Sequence, residues 1–209
     1  LLEVVNDILD FSKIESGKLE LNIEKYRIED IIDQIKELIN YQAQSKNLKI
    51  NYLINDDVPK YIWVDYIRLK QVLINLLTNA IKFTHVGSID LSISTLEVHK
   101  HHTTLQFSVK DTGIGIRKSN QKIIFHAFSQ EDSSTTKKFG GTGLGLTISN
   151  QLLGLMESKL QLESDYGKGS DFFFDIDLKT SNIAENTQQE KNIEVIDEKD
   201  KIDFGHENF

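Results

Sequence analysis

The run Asn75-Leu76-Leu77-Thr78-Asn79-Ala80-Ile81-Lys82 sets Asn75, Asn79 and roughly Lys82 on one helix face, at spacings of four and then three residues. Two amide oxygens beside a cation suit a hard metal ion carrying phosphates, because Mg²⁺ keeps most of its waters and takes few protein ligands. A solvated polar helix edge is the plainer alternative. A second cluster, Asp111-Thr112-Gly113-Ile114-Gly115-Ile116, ends a strand-like run. Its carboxylate is acceptor-only and can take an exocyclic amine, while Gly113 and Gly115 let backbone approach a flat ring; a simple Asp-x-Gly turn would look the same. Third, Gly140-Gly141-Thr142-Gly143-Leu144-Gly145-Leu146 opens a helix. Backbone N–H groups and the helix dipole there favour an anion, although a glycine hinge would also fit. The motif lacks the Lys-Ser/Thr ending of a P-loop and follows a loop, so neither a P-loop nor a dinucleotide fingerprint is supported. Fourth, Phe125-His126-Ala127-Phe128 lies in a long irregular stretch with Lys137 and Lys138 downstream. These aromatics read more simply as lid-anchoring core than as a stacking platform, and the lysines fall within reach of whatever the glycine loop binds.

The positioning elements follow from periodicity. Leu2, Val5, Ile8, Leu9 and Ser12 share one face of a helix ending near Gly17, with its apolar stripe expected to pack on a partner outside the chain. A second helical pattern covers Ile28–Gln44, a strand pattern Leu48–Ile54, and Asp65 precedes a strong helix through Phe83. Two alternating runs, Ser88–Val98 and Thr103–Lys110, predict an antiparallel hairpin; helix returns at Leu144–Met156, and strands at Lys159–Ser164 and Ser170–Leu178 surround a turn at 165–169. An α+β sandwich is expected, with a mixed sheet covered by helices on one face.

With 39% apolar and 27% charged residues the chain has a globular composition, and with no cysteine it can hold neither a disulfide nor a thiolate metal site. No apolar run is long enough to span a membrane. A net charge of −8 argues against a nucleic-acid partner, which calls for a basic face. The acidity is concentrated late: from Thr180 onward eight acids face three lysines, which predicts a disordered acidic linker or tail over 180–209. Met156 is the sole methionine and Leu1 starts inside an amphipathic pattern, so the chain is expected to be a fragment of a longer protein.

In their order, the asparagine-rich run Arg68–Thr84, Asp111-Thr112-Gly113-Ile114-Gly115, the paired phenylalanines and Gly141-Thr142-Gly143-Leu144-Gly145-Leu146 closely resemble the four boxes of sensor histidine kinases, within the superfamily shared with gyrase, chaperone and mismatch-repair ATPases. Leu9-Asp10-Phe11-Ser12-Lys13-Ile14-Glu15 is similar to the end of their dimerisation and phosphoacceptor hairpin. The resemblance implies a Bergerat-type ATP-binding fold over 21–179, preceded at 1–20 by the end of the dimerisation hairpin, with a mobile lid over about 117–140. It implies ATP and Mg²⁺ as cofactors, with Asn79 on the metal, Asn75 lining the same site, and Lys82 beside the phosphates. Asn79 and Lys82 are thereby the catalytic pair. Asp111 would accept the adenine amino group, with Gly113 and Gly115 framing the pocket, and Gly141, Gly143 and Gly145 would offer amides to phosphate, with Thr142, Leu144 and Leu146 among them. Phe125, Phe128, Lys137 and Lys138 complete the nucleotide-binding set.

The sequence departs from that family at His126-Ala127, where Glu-Pro is usual, at Lys137 for an arginine and at Phe139 for a tyrosine. Lysine keeps the charge and loses the bidentate fork. The six histidines, His85, His99, His101, His102, His126 and His206, all lack the phosphoacceptor context, so the acceptor is expected upstream of Leu1. The implied function is a histidine kinase of two-component phosphorelay; a nucleotide-binding scaffold without transfer, or an ATP hydrolase, are the alternatives. Implied partners are the phosphoacceptor helices of the same or a sister subunit, a homodimeric parent, and a response-regulator receiver domain, in cis if the parent is hybrid. The expected setting is a cytoplasmic domain, with membrane anchoring of the parent left open by the sequence.

Overall fold

The computed structural model describes residues 2–126 and 143–180, with the backbone alone for residues 2–7. Phe128, Lys137, Lys138, Gly141 and Thr142, most of the expected lid and the expected acidic tail therefore lie outside the described residues. In chain order the elements are α1 (Leu2–Glu15), β1 (Glu24–Arg27), α2 (Ile28–Ser45), β2 (Lys49–Ile54), β3 (Tyr61–Val64), α3 (Tyr66–Phe83), β4 (Ser88–Val98), β5 (His102–Asp111), a 3₁₀ turn (Ile123–Phe125), α4 (Gly145–Leu155), β6 (Gln161–Asp165) and β7 (Gly169–Thr180).

The strands form a single mixed sheet in the order β1-β3-β7-β5-β4-β2, with β6 on β7 beside β3. All pairings are antiparallel except β2 on β4. The expected α+β architecture is present, and the long pairs β4–β5 and β5–β7 are its spine. Alternation explains this spine: Ile89, Leu91 and Ile93 on β4, Leu105, Phe107 and Val109 on β5, and Phe172, Phe174, Ile176 and Leu178 on β7 are all buried. Phe107 and Phe174 face each other across the β5–β7 register and stack with centroids 5.2 Å apart.

Against this apolar face lie α2, through Ile28, Ile31, Ile32, Ile35, Ile39 and Ala43, and α3, through Leu69, Val72, Leu73, Leu76, Leu77, Ala80 and Ile81. Both ends of α3 are fixed by polar groups. Asp65 caps its start, accepting from Arg68 N at 3.1 Å and from Asn22 N at 3.0 Å. At its end Lys46 Nζ donates to the carbonyls of Ile81 at 2.8 Å and Lys82 at 3.3 Å, the terminus where the helix dipole favours a cation.

Sequence reading misses β1 and β3, four residues each, too short to display a period. The stripe of α1 expected to meet a partner outside the chain is not the face that packs on the body. Ile8 and Leu9 are about half exposed, whereas Phe11 and Ile14 pack against the core. Asp10 fixes the helix to α3, its Oδ2 accepting from Arg68 Nη1 at 3.2 Å and Gln71 Nε2 at 2.9 Å.

Candidate functional site

Three of the four sequence clusters meet around α3. The first is on α3 itself. Asn79 Nδ2 donates to Asn75 Oδ1 at 3.4 Å, confirming that the two amides share a face, and both are partly buried. Lys82, one turn on, is half-buried, and burial pushes its ammonium below the usual lysine value; Nζ sits 5.0 Å from the centroid of the Phe83 ring.

The second cluster touches the end of that helix. Asp111 closes β5, between Ile89 on β4 and Ser170 on β7, and is buried. Burial raises its pKa most strongly; N–H bonds from Gly113 and Ser170 work against this, and Asp171 adds to the rise. The Gly113 bond, to Oδ1, is 2.7 Å. Beyond it Ile114 N donates to the carbonyl of Phe83 at 3.3 Å, so the Asp111 loop is tied to the last residue of α3. The loop is held from the other side as well. Gly115 has φ of +64° and lies so close to the carbonyl of Asp165 that a Cβ would collide with it. Gly167 N donates to Ile114 O at 2.7 Å, and Ile116 N to Ser164 Oγ at 2.8 Å. Gly115 is thus demanded by close packing of backbone on the β6–β7 turn, a reason that sequence reading did not supply.

The third cluster reaches α3 through α4. Leu144 is buried and Leu146 partly so, which anchors the first turn of α4 in the core. Gly145 abuts Asn75, and a Cβ there would fall on Asn75 Oδ1. Asn75 Nδ2 donates to Ser149 Oγ at 2.8 Å. Asn75 therefore bridges α3 to α4 as well as standing beside Asn79. Of the fourth cluster, Phe125 packs against the core and its carbonyl accepts from Thr147 Oγ1 at 3.1 Å. Gln121 Nε2 donates to the carbonyls of Ile116 and Ser164. The start of the expected lid, residues 117–126, is anchored at both points. Ser149, Thr147, Gln121, Ser164 and Lys46 were all missed in the sequence, where isolated polar residues carry no spacing signal.

This arrangement offers a buried carboxylate acceptor at one end of α3, two amides and a cation along it, and a glycine-led helix start against its middle. Among the described residues no group of three or more His, Asp or Glu gathers as a metal cluster. A cation on the asparagine face would take amide oxygen, phosphate and water, donors of the kind Mg²⁺ takes with a nucleotide. A buried acceptor suits an exocyclic amine, so adenine fits the Asp111 end.

Residues 64–180 match the family described as histidine kinase-, DNA gyrase B-, and HSP90-like ATPases. The chain is similar to the sensor histidine kinase GacS of Pseudomonas protegens, 40% identical over 88% of this chain and 20% of that protein. It is similar to the signal transduction histidine-protein kinase BarA of Escherichia coli, 38% identical over 85% of this chain and 19% of that protein. The chain thus spans about a fifth of the length of these curated relatives. Among solved structures it resembles full-length ShkA in complex with AMPPNP, with a TM-score of 0.75 and 32% identity over 86% of this chain and 36% of that one. It also resembles the catalytic domain of the histidine kinase ThkA, with a TM-score of 0.62 and 26% identity over 77% and 97%.

Proposed function

The chain belongs to the histidine kinase-, DNA gyrase B-, and HSP90-like ATPases, and from that premise we propose that it holds Mg-ATP and directs the γ-phosphoryl group to a histidine other than the six of this chain. The observation that carries this reading is the bonding of the Asp111 loop and of α4 to the one helix that bears Asn75, Asn79 and Lys82.

In this reading Asp111 accepts the adenine amino group and fixes the ring, because a buried, acceptor-only carboxylate rejects a ring that cannot donate. Lys82 brings positive charge to the phosphates, and the glycine-led start of α4, with Gly143, Leu144, Gly145 and Leu146, faces them with N–H groups and the positive end of its dipole. Asn79 holds Mg²⁺ through its amide oxygen. The metal, when bound, neutralises phosphate charge. The chain's own contribution is positioning and electrostatic stabilisation, as phosphoryl transfer requires. Phe128, Lys137, Lys138, Gly141 and Thr142 belong to the proposed site by sequence. The proposed partners are phosphoacceptor helices of the same or a sister subunit in a homodimer, and a receiver domain that takes the phosphoryl group onward.

Calorimetric titration with ADP and Mg²⁺ tests the nucleotide half of the reading: saturable one-site binding is expected, and its absence would overturn the site. Incubation with γ-labelled ATP tests the transfer half. The chain should acquire no acid-labile phosphate, and stable labelling of one of its six histidines would contradict an acceptor located elsewhere.

A further inference from the structure

Ser149, in the second turn of α4, is buried. Its Oγ accepts from Asn75 Nδ2 at 2.8 Å, and Asn75 Oδ1 accepts from Asn79 Nδ2 at 3.4 Å. The second bond is long, so by itself it holds Asn79 weakly. The terminal torsion of an asparagine is also broad, which leaves a partly solvated amide free to swing or turn over. What removes that freedom at Asn75 comes from α4 on two sides: the Ser149 hydroxyl fixes the nitrogen end, and Gly145 packs so closely against the oxygen end that a single added carbon would strike it. With Asn75 fixed, its Oδ1 has one direction in which to receive Asn79, and the carbonyl of Asn79 is left as the group available to a cation.

We propose that Ser149 is a positioning residue for the metal-holding amide, acting through Asn75. The relay Ser149–Asn75–Asn79 runs from the helix that begins at the glycine loop to the face of α3 that carries the metal role. Seating of phosphates at the start of α4 and orientation of Asn79 are therefore coupled. This rests on the reading of Asn79 as the Mg²⁺ ligand.

The test is ADP affinity measured by calorimetry with Mg²⁺ and with EDTA, on the whole chain, for wild type, Ser149→Ala, Ser149→Cys and Asn79→Ala. In Ser149→Ala the affinity in EDTA should stay within about twofold of wild type, while the gain conferred by Mg²⁺ shrinks by about fivefold or more, the lower end of ordinary coupling between sites. Ser149→Cys keeps the shape with a weaker acceptor and should fall between the two; it carries the same test if the alanine variant does not fold. In nucleotide-free protein, the side-chain amide resonances of Asn79 should shift in the Ser149 variants. An unchanged Mg²⁺ gain in Ser149→Ala beside a lost gain in Asn79→Ala would sink the relay and leave the metal reading standing. A retained gain in Asn79→Ala would sink the metal reading and the relay with it. Equal losses with and without Mg²⁺, or unmoved Asn79 resonances, would reduce Ser149 to a packing residue.

Discussion

Asp111 is where residue chemistry and pH meet. Burial raises its pKa above the ordinary 3.8, more than the Gly113 and Ser170 N–H groups lower it, with Asp171 adding to the rise. The ionised carboxylate is the stronger acceptor for an amine, and protonation puts an O–H donor on the same group. Affinity for ADP should therefore fall on acidification at a pH above the usual carboxylate range, and titrations from neutral pH downward will show it. The folding term has the opposite sign: between 3.8 and the raised value the native state binds more protons, so this group's contribution to stability falls as pH rises through that window. Acid then favours folding at Asp111 while removing binding. Asp111→Asn should flatten the profile and weaken ADP by at least tenfold, about 1.4 kcal/mol. A calorimetric affinity within about twofold of wild type would leave Asp111 as a turn residue. The candidates on spaced motifs, Asn75, Asn79, Lys82 and Asp111, were legible because their types recur at helix or strand-end spacing. Ser149 was not, since a lone serine within an apolar helix is indistinguishable from filler until its partner across 74 positions is seen.

At the scale of elements, the helices and long strands were legible and the connections between them less so. Helical period marked α2, α3 and α4, and alternation marked β4, β5 and β7. The four-residue strands β1 and β3 show too little pattern, and nothing local says that β2 pairs in parallel with β4. The face of α1 that meets the body had no sequence signal of its own: Ile8 and Leu9, on the stripe expected to meet an outside partner, stay half exposed, while Asp10 finds Arg68 and Gln71 and this polar contact brings Phe11 and Ile14 onto the body. The Arg68–Asp10 pair is only about one-fifth exposed on each side, so removing Arg68 and leaving Asp10 short of a partner should cost about 1–3 kcal/mol. Arg68→Ala should raise amide hydrogen exchange across residues 8–15 with ADP affinity within about twofold of wild type. Exchange unchanged from wild type would mean that Gln71 and apolar packing hold α1 without Arg68. The sheet spine makes a stronger claim. Phe107 is fully buried against Phe174, and Phe107→Ala should lower the stability measured by urea unfolding by about 3–5 kcal/mol; a loss under about 1 kcal/mol would show that the stack is dispensable.

For the whole molecule, the fold has one consistent logic: a mixed sheet buries one face under helices, and the proposed site lies where the C-terminal half of α3 meets the end of β5 and the start of α4. The Asp111 loop and the glycine-led helix are far in sequence from the asparagine face, yet both are bonded to α3, which carries it. Among the described residues no helix is long and apolar enough to cross a membrane. Because the chain spans about a fifth of its curated relatives, transfer is best measured in a longer protein that carries an acceptor histidine. The most direct measurement is the rate at which that longer protein takes acid-labile phosphate from γ-labelled ATP, wild type against Asn79→Ala. Loss of the amide oxygen should lower the rate by orders of magnitude while ADP binding in EDTA persists through Asp111 and the glycine loop. An Asn79→Ala rate equal to wild type would contradict the account.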